Sequence, residues 1–317
     1  MSHFVQQQHT VNAFSSSDSW VILSPIEQSI KQKIEAVGVP LKDWDIQINY
    51  GIKTGCNEAF IINTDKRNEI LANCKDEAER KRTEELIRPI LRGRDIKRYG
   101  YEWAGLWLIA TFPARHYDIE QYPAVKEYLL SFAEDYLRKN GCEWVVDDYL
   151  TDFCEQKLSQ TGKYIVINGK EVTINGKKEK ARKKTSNKWF ETQDSISYWD
   201  LFFQPHICWK AVGRKLAFAL VEAGTFLTAP ASFISAGRYN KMVLAFICST
   251  VGTYFVYKNS DTTGAGDIML NIQSLIKFPI PQLDIKFDNY TDTEIDQCIY
   301  KIYKFTKEEI LYIEEQV

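Results

Sequence analysis

Four separated groups of positive side chains share one chemistry in this sequence. Residues 88–99 carry Arg88, Arg92, Arg94, Lys97 and Arg98 against Asp95, a net +4 closed by Tyr99. Residues 162–188 carry Lys163, Lys170, Lys177, Lys178, Lys180, Arg182, Lys183, Lys184 and Lys188 against Glu171 and Glu179, a net +7. A smaller group, Lys210, Arg214 and Lys215, flanks Gly213, and Lys53 stands with Thr54 and Asn57 around Gly51 and Gly55. Guanidinium forks and ammonium groups bind phosphate oxygens, and each such contact releases counter-ions from nucleic acid. Because the chain as a whole has formal charge −2, any field attracting a polyanion must come from local segregation. The competing reading of each group is pairing with nearby acids such as Glu84 and Glu85, or a solvated face.

Groupings that would carry catalysis are weak. One nuclease class needs an acid, then acid-x-Lys on a strand, so that two carboxylates hold Mg²⁺ and lysine positions water. Asp148 or Asp152 with Glu155-Gln156-Lys157 matches loosely, as does Asp95-Ile96-Lys97, but Leu150, Cys154 and Leu158 place Glu155 on a helix. Adenine methyl transfer needs an Asn/Asp-Pro-Pro-aromatic tetrapeptide for the flipped base, and none of the nine prolines is adjacent to another. Gly264-Ala265-Gly266 lacks the strand and helix that a phosphate-binding loop requires. Seven cysteines form no CxxC pair, and His116 and His206 have no ligand cluster, so neither a metal site nor a disulfide framework is signalled. The expectation is no catalytic residue, no metal ligand and no cofactor in this chain, in a reducing cytoplasm. No secretory signal is read at the start, and residues 242–257 fall short of the roughly 20 apolar residues that cross a bilayer.

The elements that would position these groups follow from periodicity. Residues 45–62 alternate through Ile46, Ile48 and Tyr50, break at the glycines and resume at Ala59, which predicts strand, tight turn, strand. Residues 1–19 read as linker. Ser24-Pro25-Ile26-Glu27 is a capping box that opens a helix with Ile26, Ile30, Ile34 and Val37 on one face, ended by Gly38 and Pro40. Residues 76–87 predict a charged helix, 103–112 a buried strand, and 123–141 a helix with Val125, Leu129, Phe132 and Tyr136 in a stripe. Asn168-Gly169 and Asn175-Gly176 between β-prone runs are type I′ turn signals and predict a narrow basic ribbon. Such a ribbon has a width that the major groove admits. Residues 206–209 predict a strand, and 240–257 an apolar helix. Thr291-Asp292-Thr293-Glu294 opens a helix of about 24 residues, roughly 36 Å long, with the 25–37 helix as one packing partner.

Tyr50-Gly51-Ile52-Lys53-Thr54-Gly55-Cys56-Asn57-Glu58-Ala59-Phe60-Ile61-Ile62 resembles the opening signature of the TaqI-like C-terminal specificity domain. That family is the target-recognition part of type II G restriction-modification enzymes and related adenine-methylating phage-defence proteins. Arg88-Pro89-Ile90-Leu91-Arg92-Gly93-Arg94-Asp95-Ile96-Lys97-Arg98-Tyr99 with Trp107-Leu108-Ile109, then Ala245-Phe246-Ile247-Cys248-Ser249 with Phe278-Pro279-Ile280-Pro281, follow in the family's order. The resemblance spans residues 45–282, and ordered motifs are harder to meet by chance than one.

It implies an α+β fold: a mixed-sheet target-recognition domain over 45–285, a linker and short helix over 1–44, and a long C-terminal helix over 286–317. It further implies double-stranded DNA as partner and an adenine-N6 methyltransferase domain upstream in a longer natural chain. S-adenosylmethionine and Mg²⁺ would belong to that parent enzyme. The expected DNA contacts are Lys53, Thr54 and Asn57; Arg92, Arg94, Lys97, Arg98 and Tyr99; Lys177, Lys178, Lys180, Arg182, Lys183, Lys184 and Lys188; and Lys210, Arg214 and Lys215. Residues 162–188 lie where family members vary, as readers of different targets would. The alternatives are a Mg²⁺-dependent nuclease and a protein-interaction module whose C-terminal helix supplies the partner face.

Overall fold

The computed structural model describes residues 23–159, 163–182 and 185–317. The fold is α+β and centres on two four-stranded sheets. The first is antiparallel and orders Phe218–Val221, His206–Trp209, Ser232–Ser235 and Gln47–Tyr50. The second orders Phe226–Leu227, Ile87–Leu91, Leu106–Ile109 and Ile61–Asn63, with the first pair parallel and the others antiparallel.

All four residues of His206–Trp209 are buried, because the first sheet separates two cores. Ile207 and Trp209 enter a core with Ile34, Phe246, Phe278 and Tyr303, while Cys208 faces one with Phe60, Leu91, Phe112 and Phe226. A strand buried on both faces reads as a continuous apolar run rather than an alternation. A third core lies between the Pro123–Lys139 and Glu143–Ser159 helices and the ribbon, with Leu137, Phe153, Ile165 and Val172 inside it.

Local capping rules hold at the Ser24 box that was read and also at Asp76, which was not. The Pro25–Val37 helix begins with the expected box, and the Glu77–Leu86 helix is capped by Asp76. Pro123–Lys139 runs as its stripe predicts. The first helix does pack on the C-terminal ones: Lys33 Nζ lies 2.6 Å from Glu309 Oε2, and Ser29 donates to Oε1 of the same carboxylate at 2.6 Å.

Four expectations are corrected. Residues 45–62 form no hairpin, because Gln47–Tyr50 and Ile61–Asn63 join different sheets, with a one-turn helix, Asn57–Phe60, between them. The residues that would have closed the turn pair elsewhere: Gly51 N–H donates to Ala231 O at 2.8 Å and Ile52 N–H to Leu227 O at 2.7 Å. The 103–112 stretch forms strand only over Leu106–Ile109. The apolar segment is two helices, Asn240–Cys248 and Thr250–Asn259, because Ser249 caps the second by accepting from Gly252 N–H at 3.0 Å. The C-terminal helix also breaks, into Asp292–Tyr303 and Lys307–Glu315. Lys304 turns left-handed at φ 55°, and Thr306-Lys307-Glu308-Glu309 is a second capping box.

Candidate nucleic-acid interface

The backbone around residues 227–231 is the hub of the candidate site. Thr228 N–H donates to Leu91 O at 2.9 Å, Ala229 N–H to Ile52 O at 3.0 Å, and Ala231 N–H to Thr228 O at 3.1 Å. Together with the Gly51 and Ile52 bonds, this fixes the Lys53 segment and the Arg92 segment to the two sides of one turn. The approach at Gly51 requires glycine, since a Cβ there would meet the Thr228 carbonyl carbon at 2.5 Å. Gly93 brings in a third segment: a Cβ there would lie 3.3 Å from Lys210 Cβ. Lys53, Arg94 and Lys215 are exposed and Lys210 is half-buried.

The Lys53 segment is pinned from its other side. Lys53 N–H donates to Asp194 Oδ2 at 3.1 Å, Asp194 N–H returns a bond to Lys53 O at 3.2 Å, and Gln193 N–H donates to Thr54 O at 3.0 Å. Lys53 and Asn57 are displayed as expected, but Thr54 is only 1% exposed. Its hydroxyl donates to Asn57 Oδ1 at 2.6 Å and accepts from Cys56 N–H, so it orders the turn instead of standing at its tip.

Arg182 is also placed differently from expectation. It is 5% exposed, with Nη1 donating to Glu191 O at 2.9 Å and Nη2 to Thr54 O at 2.8 Å. Burial lowers its pKa to about 10, still charged at neutral pH. A guanidinium committed to two backbone carbonyls is a strut, so Arg182 leaves the set of available phosphate ligands. Gly55, at φ +83°, lies against that side chain.

The 92–99 loop divides its cations. Arg92 forms a fork with Asp95, Nε to Oδ2 at 3.0 Å and Nη2 to Oδ1 at 2.8 Å, and Asp95 also accepts from Arg92 N–H. Burial alone would raise the Asp95 carboxyl, but those bonds outweigh it and hold it below its usual range. The acid-x-Lys reading of Asp95 is thereby weakened, since its carboxylate already accepts three bonds. Arg94 is exposed with no ion-pair partner among the described residues. Lys97 pairs loosely with Glu102 at 3.4 Å. Arg98 reaches the C-terminal helices, Nη1 to Asp292 at 2.6 Å and Nη2 to Cys248 O at 2.9 Å. Tyr99 stands at φ 64°, with its N–H on Phe218 O at 2.7 Å and the Arg98 guanidinium 4.9 Å from its ring.

The expected ribbon is two short hairpins instead of one ladder, Val166–Ile167 with Lys170–Glu171 and Thr173–Ile174 with Lys177–Lys178, and both turns are left-handed, Asn168 and Gly169 at 46° and 71° and Asn175 and Gly176 at 50° and 72°. It lies on the helix pair, burying Ile165, Ile167, Val172 and Ile174, and Asn175 Nδ2 donates to Asn140 Oδ1 at 3.0 Å. Lys177, Lys178, Lys180 and Lys188 are exposed, with Lys178 paired to Glu171 at 2.5 Å. Lys183 and Lys184 lie outside the described residues. Arg214 is 88% exposed, with Asp267 at 3.8 Å.

Asp148 lies before, and Asp152 and Glu155 after, a kink at Tyr149 (φ −132°) in the helical segment Glu143–Ser159, all three exposed, so no strand presents the acid-x-Lys triplet. The sequence reading missed the 227–231 turn and the acids that anchor the loops. Pro230 between β-prone runs was the available signal for the turn, and the three-residue spacing from Arg92 the signal for Asp95.

No family model and no curated protein matches this chain. Among solved structures it is similar to the type IIG restriction endonuclease BpuSI, at 11% identity and TM-score 0.46 over 92% of this chain and 31% of that one. It is also similar to the type IIL restriction-modification enzyme MmeI in complex with DNA, at 11% identity and TM-score 0.48 over 87% of this chain and 35% of that one. The chain spans about a third of the length of these restriction-modification enzymes.

Proposed function

We propose that this chain is a non-catalytic target-recognition module that binds double-stranded DNA at a defined sequence. It would direct an adenine-N6 methyltransferase domain, upstream in the same natural chain, to that sequence within a restriction-modification or phage-defence system. S-adenosylmethionine, and Mg²⁺ where the parent enzyme cuts, would bind outside this chain. The observation that carries the reading is the joining of the Lys53, Arg94 and Lys210 segments around one turn. Cations from distant parts of the sequence are held there by backbone hydrogen bonds and close packing, which is how a fixed register on phosphates is built. Arg94, Lys53 and Asn57 are the side chains with reach toward base edges, while Lys210, Arg214, Lys215 and the ribbon lysines suit the backbone.

Binding of a fluorescent duplex at several salt concentrations tests this. Replacing Lys53, Arg94 and Lys215 together by Ala should weaken affinity and flatten the log–log salt slope by ~0.9 for each phosphate contact removed. An unchanged slope would take these segments out of the interface. Selection from a randomised duplex pool should enrich one sequence, and failure to enrich any would reduce the role to non-specific binding. With plasmid and Mg²⁺ the chain should leave DNA intact, whereas cleavage abolished by Glu155→Ala would make the nuclease reading the better one.

A further inference from the structure

A cavity of about 510 Å³ lies between the Pro123–Lys139 and Glu143–Ser159 helices, the Gly55–Glu58 segment and residues 180–182. We propose that it is a binding site for a small planar aromatic molecule carrying one negative charge. The inference is independent of the DNA reading and adds a soluble ligand to it.

Its walls are aromatic and aliphatic, with Phe132, Tyr136, Phe153 and Leu158 lining it. Phe132 and Tyr136 are near-parallel, 12° between planes and 6.4 Å between centroids, so they present flat faces of the kind on which a ring stacks. Cys56 and Cys154 also line it, and burial pushes both thiols up, Cys154 to about 12. Both are therefore neutral at pH 7 and serve as soft apolar wall, not as nucleophiles.

The charge comes from three lining cations, Lys157, Lys180 and Arg182, against Glu58. Glu179 accepts from both Lys157 and the Tyr136 hydroxyl, so it offsets one of the three without closing the cavity. One positive charge is left over. Arg182 adds charge but no available donor, since both terminal nitrogens are engaged by backbone carbonyls and its Nε is buried against Gly55. Volume, flat walls and a surplus of positive charge at the rim thus specify the same class of molecule.

The test titrates the full chain with 1-anilinonaphthalene-8-sulfonate and with its uncharged counterpart N-phenyl-1-naphthylamine, following emission. The sulfonate should saturate one site and bind about ten-fold or more tighter than the neutral dye, the ratio that one added charge contact of ordinary strength gives. Ala133→Trp fills the cavity from its helical wall and should abolish saturable sulfonate binding with circular dichroism unchanged. Ala133 is only 3% exposed, so overpacking can unfold that variant. Lys180→Glu, on the exposed rim, is the second variant and should weaken the sulfonate about ten-fold while leaving the neutral dye unaffected. Equal affinity for the two dyes, or sulfonate binding that Lys180→Glu leaves unchanged, would overturn the proposal.

Discussion

At the scale of single residues, a cation in a basic run has a role that its neighbours in sequence do not reveal. Lys180 and Arg182 are two positions apart in one lysine-rich stretch, yet one is at the surface and the other is buried beneath the Lys53 turn. Arg182→Ala would leave the Glu191 carbonyl without its donor and the Thr54 carbonyl with Gln193 N–H alone, and should destabilise the chain by about 1–3 kcal/mol in urea titration. Lys180→Ala should stay within about 0.5 kcal/mol of the parent, as surface changes do. A similar cost for both would mean that Arg182 is not the strut described. Arg92 and Arg94 divide in the same manner, the first locked to Asp95 and the second exposed. Neither burial nor pairing is visible in a count of charges.

Elements were legible where the signal is local. Capping boxes at Ser24 and Thr291, the apolar stripe from Val125 and the two Asn-Gly turns each specify backbone geometry within four to seven residues, and each formed. Lengths of elements were less legible, because an apolar stripe continues through a break. At Lys304 the backbone is left-handed in a residue with a Cβ, followed by a fresh cap at Thr306. Lys304→Gly removes that strain and should raise stability by about 0.5–1 kcal/mol, whereas Thr306→Ala should lower it by about 1 kcal/mol. Thermal unfolding of the two variants gives the answer, and shifts of the same sign would contradict this account of the break. The region of 45–62 failed for another reason: two strands separated by a glycine pair look like a hairpin whether they pair with each other or with separate partners.

For the whole molecule, the Pro25–Val37 helix and the two last helices close onto the core that carries the first sheet, and the ion pairs of the first helix set an acid limit. Burial would raise the Glu27 carboxyl, but bonds from Lys258 and from Ser24 hold it near 2, against 4.5 in the open chain. A carboxyl with a depressed folded pKa contributes its stability in full above about pH 4.5 and loses it as pH falls toward 2. The stability difference between the parent and Glu27→Gln should therefore shrink over that window and be flat above it. A difference that grows on acidification would show the bonds to be absent in solution. The same closure sends Arg98 to Asp292, which links the 92–99 loop to the C-terminal helices instead of leaving all its cations outward.

The amino-acid sequence by itself determined the caps, the tight turns, the amphipathic faces and the segregation of charge into four groups, since each is set by residues a few positions apart. The resemblance to a specificity domain rests on motifs that keep their order along the chain, and no family model matches it. Only the tertiary structure decided which strands pair, that Thr54 and Arg182 turn inward, and that the Lys53, Arg94 and Lys210 segments meet at residues 227–231. Those outcomes depend on hydrogen bonds and contacts between residues tens to more than a hundred and fifty positions apart, for which no local rule gives a partner.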